Sequence, residues 1–153
     1  MTERLNYYTA TPAGMKALEG VYGHLLRSGL PKTLIELAFL RASQINGCAF
    51  CIDMHSRDLL KAGVPVEKLV LVPAWREAGA LFDDKERAAL AWTETVTRVS
   101  ETGVPDADYA AAAAVFGPGE LADLTIGIGL INAYNRLAIG FRTVPAAAQA
   151  SKT

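Results

Sequence analysis

Three observations predict an all-α fold for this chain. Apolar residues recur every three or four positions through most of its length, the period of an amphipathic helix. Glycine and proline stand where helices end and begin, as at Gly63-Val64-Pro65 and Gly117-Pro118-Gly119. The one run with strand character, Leu69-Val70-Leu71-Val72, is too short and isolated to build a sheet. With 153 residues, 51% of them apolar, the chain can bury roughly 70% of its unfolded surface in a single core. One domain spanning 1–153 is therefore expected, with no internal repeat and a core over about 31–142.

Taken in order, residues 1–10 read as an extended lead-in. Thr11 as N-cap and Pro12 at the first helical position then start a helix whose apolar stripe is Met15, Leu18, Val21, Tyr22 and Leu25, and Gly29 ends it. Leu30-Pro31 opens a second helix that carries Glu36 and runs to Gln44 or Ile45. Asn46-Gly47 breaks the chain, since Gly47 can take the left-handed conformation that closes a helix. A third helix follows from about Cys48 to Ala62, with Leu59 and Leu60 as core contacts and Met54 as a gap filler. Pro65–Leu71 reads as a short helix, and Pro73 restarts the chain towards Trp75 and Phe82. Asp83 with Glu86 forms a capping box, beginning a helix with Ala89, Trp92, Val96 and Val99 on one face. After Thr102-Gly103-Val104-Pro105 comes an alanine-rich helix near 107–115, then an apolar last helix over about Glu120–Phe141. Gly127 and Gly129 would allow close backbone approach there, at a cost of about 1 kcal/mol each in helix propensity. The tail, Ala146 to Thr153, is expected to be frayed.

Charge and cysteine usage narrow the function. A formal net charge of −1 makes no electrostatic case for nucleic acid or an anionic membrane as partner. The longest apolar run, Leu124–Ile131, is broken by Thr and Gly and is too short to span a bilayer. The charged start Met1-Thr2-Glu3-Arg4 lacks the apolar segment of a signal peptide. Both cysteines stand in one Cys-x-x-Cys, which suits a reducing compartment and a redox or metal site better than a secreted disulfide framework. A cytoplasmic protein is the expectation.

The chemistry concentrates in Cys48-Ala49-Phe50-Cys51-Ile52-Asp53-Met54-His55. At roughly 100° per residue, position 51 lies about 60° from position 48 and position 55 about 20° from it, so two thiols and an imidazole share one stripe. The break at Gly47 leaves the cysteines in the first turn, where unpaired N–H groups and the helix dipole favour thiolate. Glu36 interrupts an apolar run and needs a partner once buried. Only a reversal at Asn46-Gly47 can bring it back to His55.

Glu36 followed by Cys48-x-x-Cys51-x-x-x-His55, with a glycine before the first cysteine, resembles the core motif of the AhpD-like alkylhydroperoxidases within the carboxymuconolactone decarboxylase fold family. The likeness extends from about Leu34 to the last helix, where Ile131-Asn132-Ala133-Tyr134-Asn135-Arg136-Leu137-Ala138 is similar to a closing segment of that family. It implies an AhpD-like helical bundle, a thiol peroxidase with Cys51 as attacking and Cys48 as resolving thiol, a small-molecule hydroperoxide as substrate, and assembly into trimers or hexamers. Phe50 departs from the best-known members, which carry a second histidine there.

On the residues themselves, His55 can take the proton of Cys51 while Glu36 orients the imidazole. An external dithiol or protein reductant would restore the pair, and no cofactor is called for. Alternatives are a dithiol/disulfide oxidoreductase or redox sensor without peroxidase activity, a metal site built on Cys48, Cys51 and His55, and a non-catalytic scaffold. No metal is expected, because a structural zinc site usually draws on two such clusters. Trp75 and Trp92 read as core or interface aromatics, His24 as a surface histidine, and Asp53 as solvated. Asn132, Asn135 and Arg136 read as bonded to one another or to backbone.

Overall fold

A helix whose residues are apolar on every side has to be surrounded. In the computed structural model, which describes residues 2–150, the run Leu34–Leu40 is buried without a break, Glu36 included. The molecule is assembled around it. Helix α1 (Tyr7–Ala10) and α2 (Pro12–Leu25) lead into α3 (Lys32–Asn46), which holds that run, and then α4 (Ala49–Lys61). A short α5 (Val66–Leu71) and two 3₁₀ segments, Val72–Glu77 and Gly79–Leu81, connect to α6 (Asp84–Thr97) and the single turn α7 (Val99–Thr102). Helices α8 (Asp106–Ala113), α9 (Pro118–Phe141) and α10 (Ala146–Ala150) complete the chain. All regular structure among the described residues is helical, and none of the helices is long and apolar enough to cross a membrane.

Helix α3 packs against α4, α6 and α9. Two apolar clusters flank it. One joins Leu34, Ile35, Phe39 and both cysteines to Leu124, Ile128 and Ile131 of α9. The other joins Leu37 and Leu40 to Leu59, Val72, Trp75, Phe82 and Leu90. Gly127 is the point of closest approach between α9 and the centre: a methyl group there would sit 3.3 Å from Leu25 Cδ1 and 3.4 Å from Phe39 Cε1. Gly129 has nothing within 4 Å of such a group, so only the first glycine serves close packing.

The structure differs from the sequence expectation at several element ends. Tyr7–Ala10 is helical where an extended lead-in is expected, because Asn6 accepts from the Tyr8 and Thr9 amides and caps a turn. The α6 face stops at Thr97: Arg98 leaves helical geometry (φ −98°, ψ 33°) and Val99, on the next turn, is 56% exposed. Leu60 is exposed while Leu59 is buried, since adjacent helical residues point about 100° apart. In the tail, Ala146–Ala150 forms a helical turn against α4, its Ala147 amide donating to Asp53 Oδ2 at 3.1 Å while Arg57 donates to Oδ1 at 2.8 Å. Asp53 is therefore bonded on both oxygens. The frayed end expected for the tail falls partly on 151–153, outside the described residues.

The reversal at Gly47 sets the relation of α3 to α4. Its φ of 70° and ψ of 30° are left-handed, and the Cys48 amide returns to Ser43 O at 2.9 Å. A side chain at Gly47 meets no atoms within 4 Å, so the position calls for glycine by backbone conformation alone. Gly47→Ala should lower stability by about 1–2 kcal/mol, measured as a fall in the urea midpoint at unchanged m-value. An unchanged midpoint would show the left-handed turn is not required.

Candidate functional site

Because α3 and α4 fold back on each other, Glu36 meets His55. His55 Nδ1 lies 2.6 Å from Glu36 Oε2, and Tyr22 Oη donates to Glu36 Oε1 at 2.6 Å. Both side chains of the Glu36–His55 pair are about 95% shielded (5% and 6% exposed). Burial pushes the Glu36 carboxyl up, but the His55 hydrogen bond and charge, the Tyr22 hydroxyl and Lys32 outweigh it and hold it below the ordinary value. An ionised carboxylate only accepts, so Nδ1 must carry the proton facing it. The second ring nitrogen, Nε2, is buried without a hydrogen-bond partner. Phe39 fixes the ring by an edge contact, centroids 5.3 Å apart at 78°.

Nδ1 is engaged, Nε2 is unpartnered, and His55 forms part of the wall of a cavity of about 210 Å³. Cys51, Phe50, Met54, Tyr8, Tyr22 and Tyr134 share that wall. Met54 is 39% exposed, so it lines the cavity mouth and fills no gap in the core. Cys48 does not reach this wall. It stands at the N-cap of α4 (φ −84°, ψ 94°), one residue before the helix, and Cys51 lies in the first turn. Both are unbridged, buried thiols.

The two thiols form one acid–base unit. Cys48 falls to about 7, chiefly because the Cys51 thiol donates to it, against the cost of burial and with help from backbone amides and Asn135. Cys51 is pushed up, first by giving its hydrogen bond to Cys48, then by burial and by the charge on Cys48. The expectation of two acidic cysteines becomes one proton shared over a pair, whose first ionisation is eased. The helix-start argument picks out the sulfur that ionises first, Cys48, with the Cys51 and Phe50 amides as smaller contributions, while Cys51 lines the cavity.

Beneath the pair lies a polar layer. Asn46 Nδ2 donates to Asn132 Oδ1 at 3.0 Å and Asn135 Oδ1 at 2.8 Å, and Asn135 Nδ2 donates to Ser43 Oγ at 3.0 Å. Asn135 is fully buried. Arg136 bonds the Asn132 carbonyl oxygen at 2.8 Å. The expectation of mutual bonding holds, yet Asn135 also bears on both sulfurs and Ser43 on Cys51, each favouring thiolate.

A model of the carboxymuconolactone decarboxylase family matches residues 12–95. The chain belongs to that family. It is 35% identical to the uncharacterized protein YdfG of Bacillus subtilis over 91% of this chain and 94% of that protein. A solved structure of a protein of unknown function from Agrobacterium tumefaciens, proposed to be the antioxidant defence protein AhpD, superposes with a TM-score of 0.90 at 40% identity, covering 94% of this chain and 98% of that one. A shorter match, 45% identical over 60 residues, is to the alkyl hydroperoxide reductase AhpD of Methylocella silvestris, covering 39% of this chain and 31% of that protein. The all-α bundle expected for a member of this family is the fold observed.

The structure brings Glu36, His55 and Cys51 to one cavity and sets Cys48 below it. The other marked residues lie apart: Trp75 Nε1 donates to Glu94 at 3.0 Å, Trp92 Nε1 to Thr125 at 2.9 Å, and His24 pairs with Asp123 at 2.7 Å. Sequence reasoning missed Tyr22 in the site, having placed it on an apolar stripe. The signal was there, since a buried phenol seeks a hydrogen-bond partner and a buried carboxylate seeks donors.

The depressed native value of Glu36 has a defined sign in stability. Its contribution is fully present above the ordinary value of 4.5 and is lost as pH falls through the lower native value. Glu36→Gln should cost about 1–3 kcal/mol near neutral pH, with the urea midpoints of the two proteins converging in acid. Parallel midpoint curves down to acid would refute the ionised carboxylate at Glu36.

Proposed function

We propose that this protein is a thiol-dependent peroxidase in which Cys51 attacks and Cys48 resolves. One observation carries the reading: Cys51 and His55, whose Nε2 is unpartnered, line the same cavity, and Cys48, which does not line it, is hydrogen-bonded to Cys51. Of the two cysteines, Cys51 is the one among that cavity's lining residues.

The shared proton lets either sulfur carry the charge. When a hydroperoxide ROOH enters, Cys51 gives its proton to Cys48 or, through the cavity, to His55 Nε2, and its thiolate attacks the terminal peroxide oxygen. The O–O bond breaks, the alkoxide takes a proton to leave as ROH, and Cys51 becomes a sulfenic acid. The Cys48 thiolate then attacks the Cys51 sulfur and the S–O bond breaks. Hydroxide leaves as water after taking a proton, and a disulfide remains. The peroxide has gained two electrons and the thiol pair has lost them. An external dithiol or protein reductant returns them by exchange. No resident cofactor enters this scheme.

Glu36 stabilises the charged imidazole formed whenever His55 takes a proton, and Tyr22 holds the carboxylate in place. Phe50, half-buried on the cavity wall, leaves His55 as the single imidazole facing Cys51. Among the described residues no three His, Cys, Asp or Glu side chains are grouped to hold a metal ion, which favours the dithiol reading over a metal site. A cytoplasmic location and assembly into trimers or hexamers belong to the same proposal. Ile126 and Ile139, 45% and 47% exposed on α9, are available to subunit contact.

Reduced protein should consume cumene hydroperoxide at a rate that rises with pH through about 7 as the pair loses its first proton. Cys51→Ser should abolish consumption. Cys48→Ser should give a single turnover that stops at a sulfenic acid trapped by dimedone. Dimedone labelling of Cys48 in the Cys51→Ser protein at the wild-type rate would reverse the two roles.

A further inference from the structure

The cavity at Cys51 is apolar in its walls and acidic in its charge. Phe39, Phe50, Met54, Tyr8, Tyr22 and Tyr134 form an aromatic and thioether lining, and the ionisable residues that join them are Glu19, Glu36, Asp58, Cys51, His55 and the tyrosines. No lysine or arginine lines it. Glu36 is engaged by Tyr22 and His55 and is common to every protein compared below. Glu19 has no ion-pair partner among the described residues. Asp58 is paired only with Lys61, at 3.2 Å, whose side chain is 75% exposed, and such a pair is strongly screened by solvent. Lys32, on the exposed start of α3, acts on Glu36 from outside the lining.

The field of these two carboxylates reaches into the cavity. Asp58 opposes ionisation of Tyr22, and Glu19 opposes ionisation of Tyr8 and Tyr134. Burial is the larger cause in each case, carrying Tyr134 up to about 12. A second, independent feature marks the same wall as a place for a bound molecule: the buried, unpartnered His55 Nε2.

Resting on the dithiol reading above, we infer that the site selects its partners by charge, admitting thiols and peroxides carried on uncharged or cationic apolar arms and repelling those on anionic arms. The reductive half shows it most directly. A thiolate RS⁻ attacks the Cys51 sulfur, the Cys48–Cys51 bond breaks and Cys48 leaves as thiolate. A second RS⁻ attacks the R-bearing sulfur of the mixed disulfide and releases Cys51. Two thiolates leave as RSSR, having given two electrons to the protein. An additional negative charge on R must approach Glu19 and Asp58, whereas an ammonium group is drawn to them. Two such charges at separations near 8 Å in water change the rate by about three- to tenfold, and the effect fades as salt shortens the screening length.

The test uses the full-length protein, oxidised to the Cys48–Cys51 disulfide, and three thiols with arms of similar length: cysteamine (cationic), mercaptoethanol (uncharged) and mercaptopropionate (anionic). Rate constants per thiolate are divided by those for a small uncharged disulfide, which removes intrinsic nucleophilicity. Cysteamine should be fastest and mercaptopropionate slowest, each about three- to tenfold from mercaptoethanol at low salt and converging on it near 0.5 M salt. The double variant Glu19→Gln, Asp58→Asn should compress the span at low salt. Glu67→Gln, an exposed residue of α5 away from the cavity, should leave it intact. A disulfide that exchanges with all three thiols equally, or a span that survives the double variant, overturns the charge selection and leaves the dithiol reading standing. Failure to form the disulfide overturns both.

Discussion

The structure depends on how a carboxylate is kept charged in the middle of a helical run, Leu34–Leu40, that has no solvent face. Glu36 lies in the buried run of α3, and an uncompensated charge there would cost several kcal/mol or be lost to protonation. Two short hydrogen bonds, from Tyr22 and His55, resolve this. Each comes from a different helix, so the carboxylate pins α2 and α4 to α3. The arrangement also decides the tautomer of the imidazole, and with it which nitrogen is left over for chemistry.

A second buried carboxylate shows the same solution used for a different end. Glu94 on α6 accepts from Arg41 of α3 and from Trp75 and Arg76 of the first 3₁₀ segment. Arg76 also stacks on the Trp75 ring, 4.2 Å from its centroid. That node ties an irregular connection to the central helix with every carboxylate oxygen engaged, so it stabilises without offering a reactive atom. The contrast lies in the partners: arginine and indole nitrogens are only donors, whereas imidazole has a second face.

Much of this was legible in the sequence. The all-helical class, the turn at Gly47, the capping box at Asp83 and the convergence of Glu36, Cys48, Cys51 and His55 follow from periodicity, backbone freedom and the cost of burying charge. What escaped depended on tertiary context. Tyr22 has the same spacing whether its hydroxyl meets solvent or Glu36. The helicity of Tyr7–Ala10 rests on one asparagine side chain. The division of acidity between the cysteines follows from which thiol donates to the other, which spacing along a helix does not fix. Asp53, read as solvated, is held by an amide 94 positions away.

Asn135, beneath the thiols, comes late in the chain. Ser43 and Asn135, which both favour ionisation of these cysteines, lie 92 positions apart, and the second arrives with α9. A nascent chain exposes its amino-terminal part first, so Cys48 and Cys51 are synthesised, and α3 and α4 can form, before the amide that eases their ionisation exists. Until α9 docks, the pair lacks that contribution, while the hydrogen bond between the two thiols needs only α4. The last increment of acidity at the pair is thereby tied to completion of the fold.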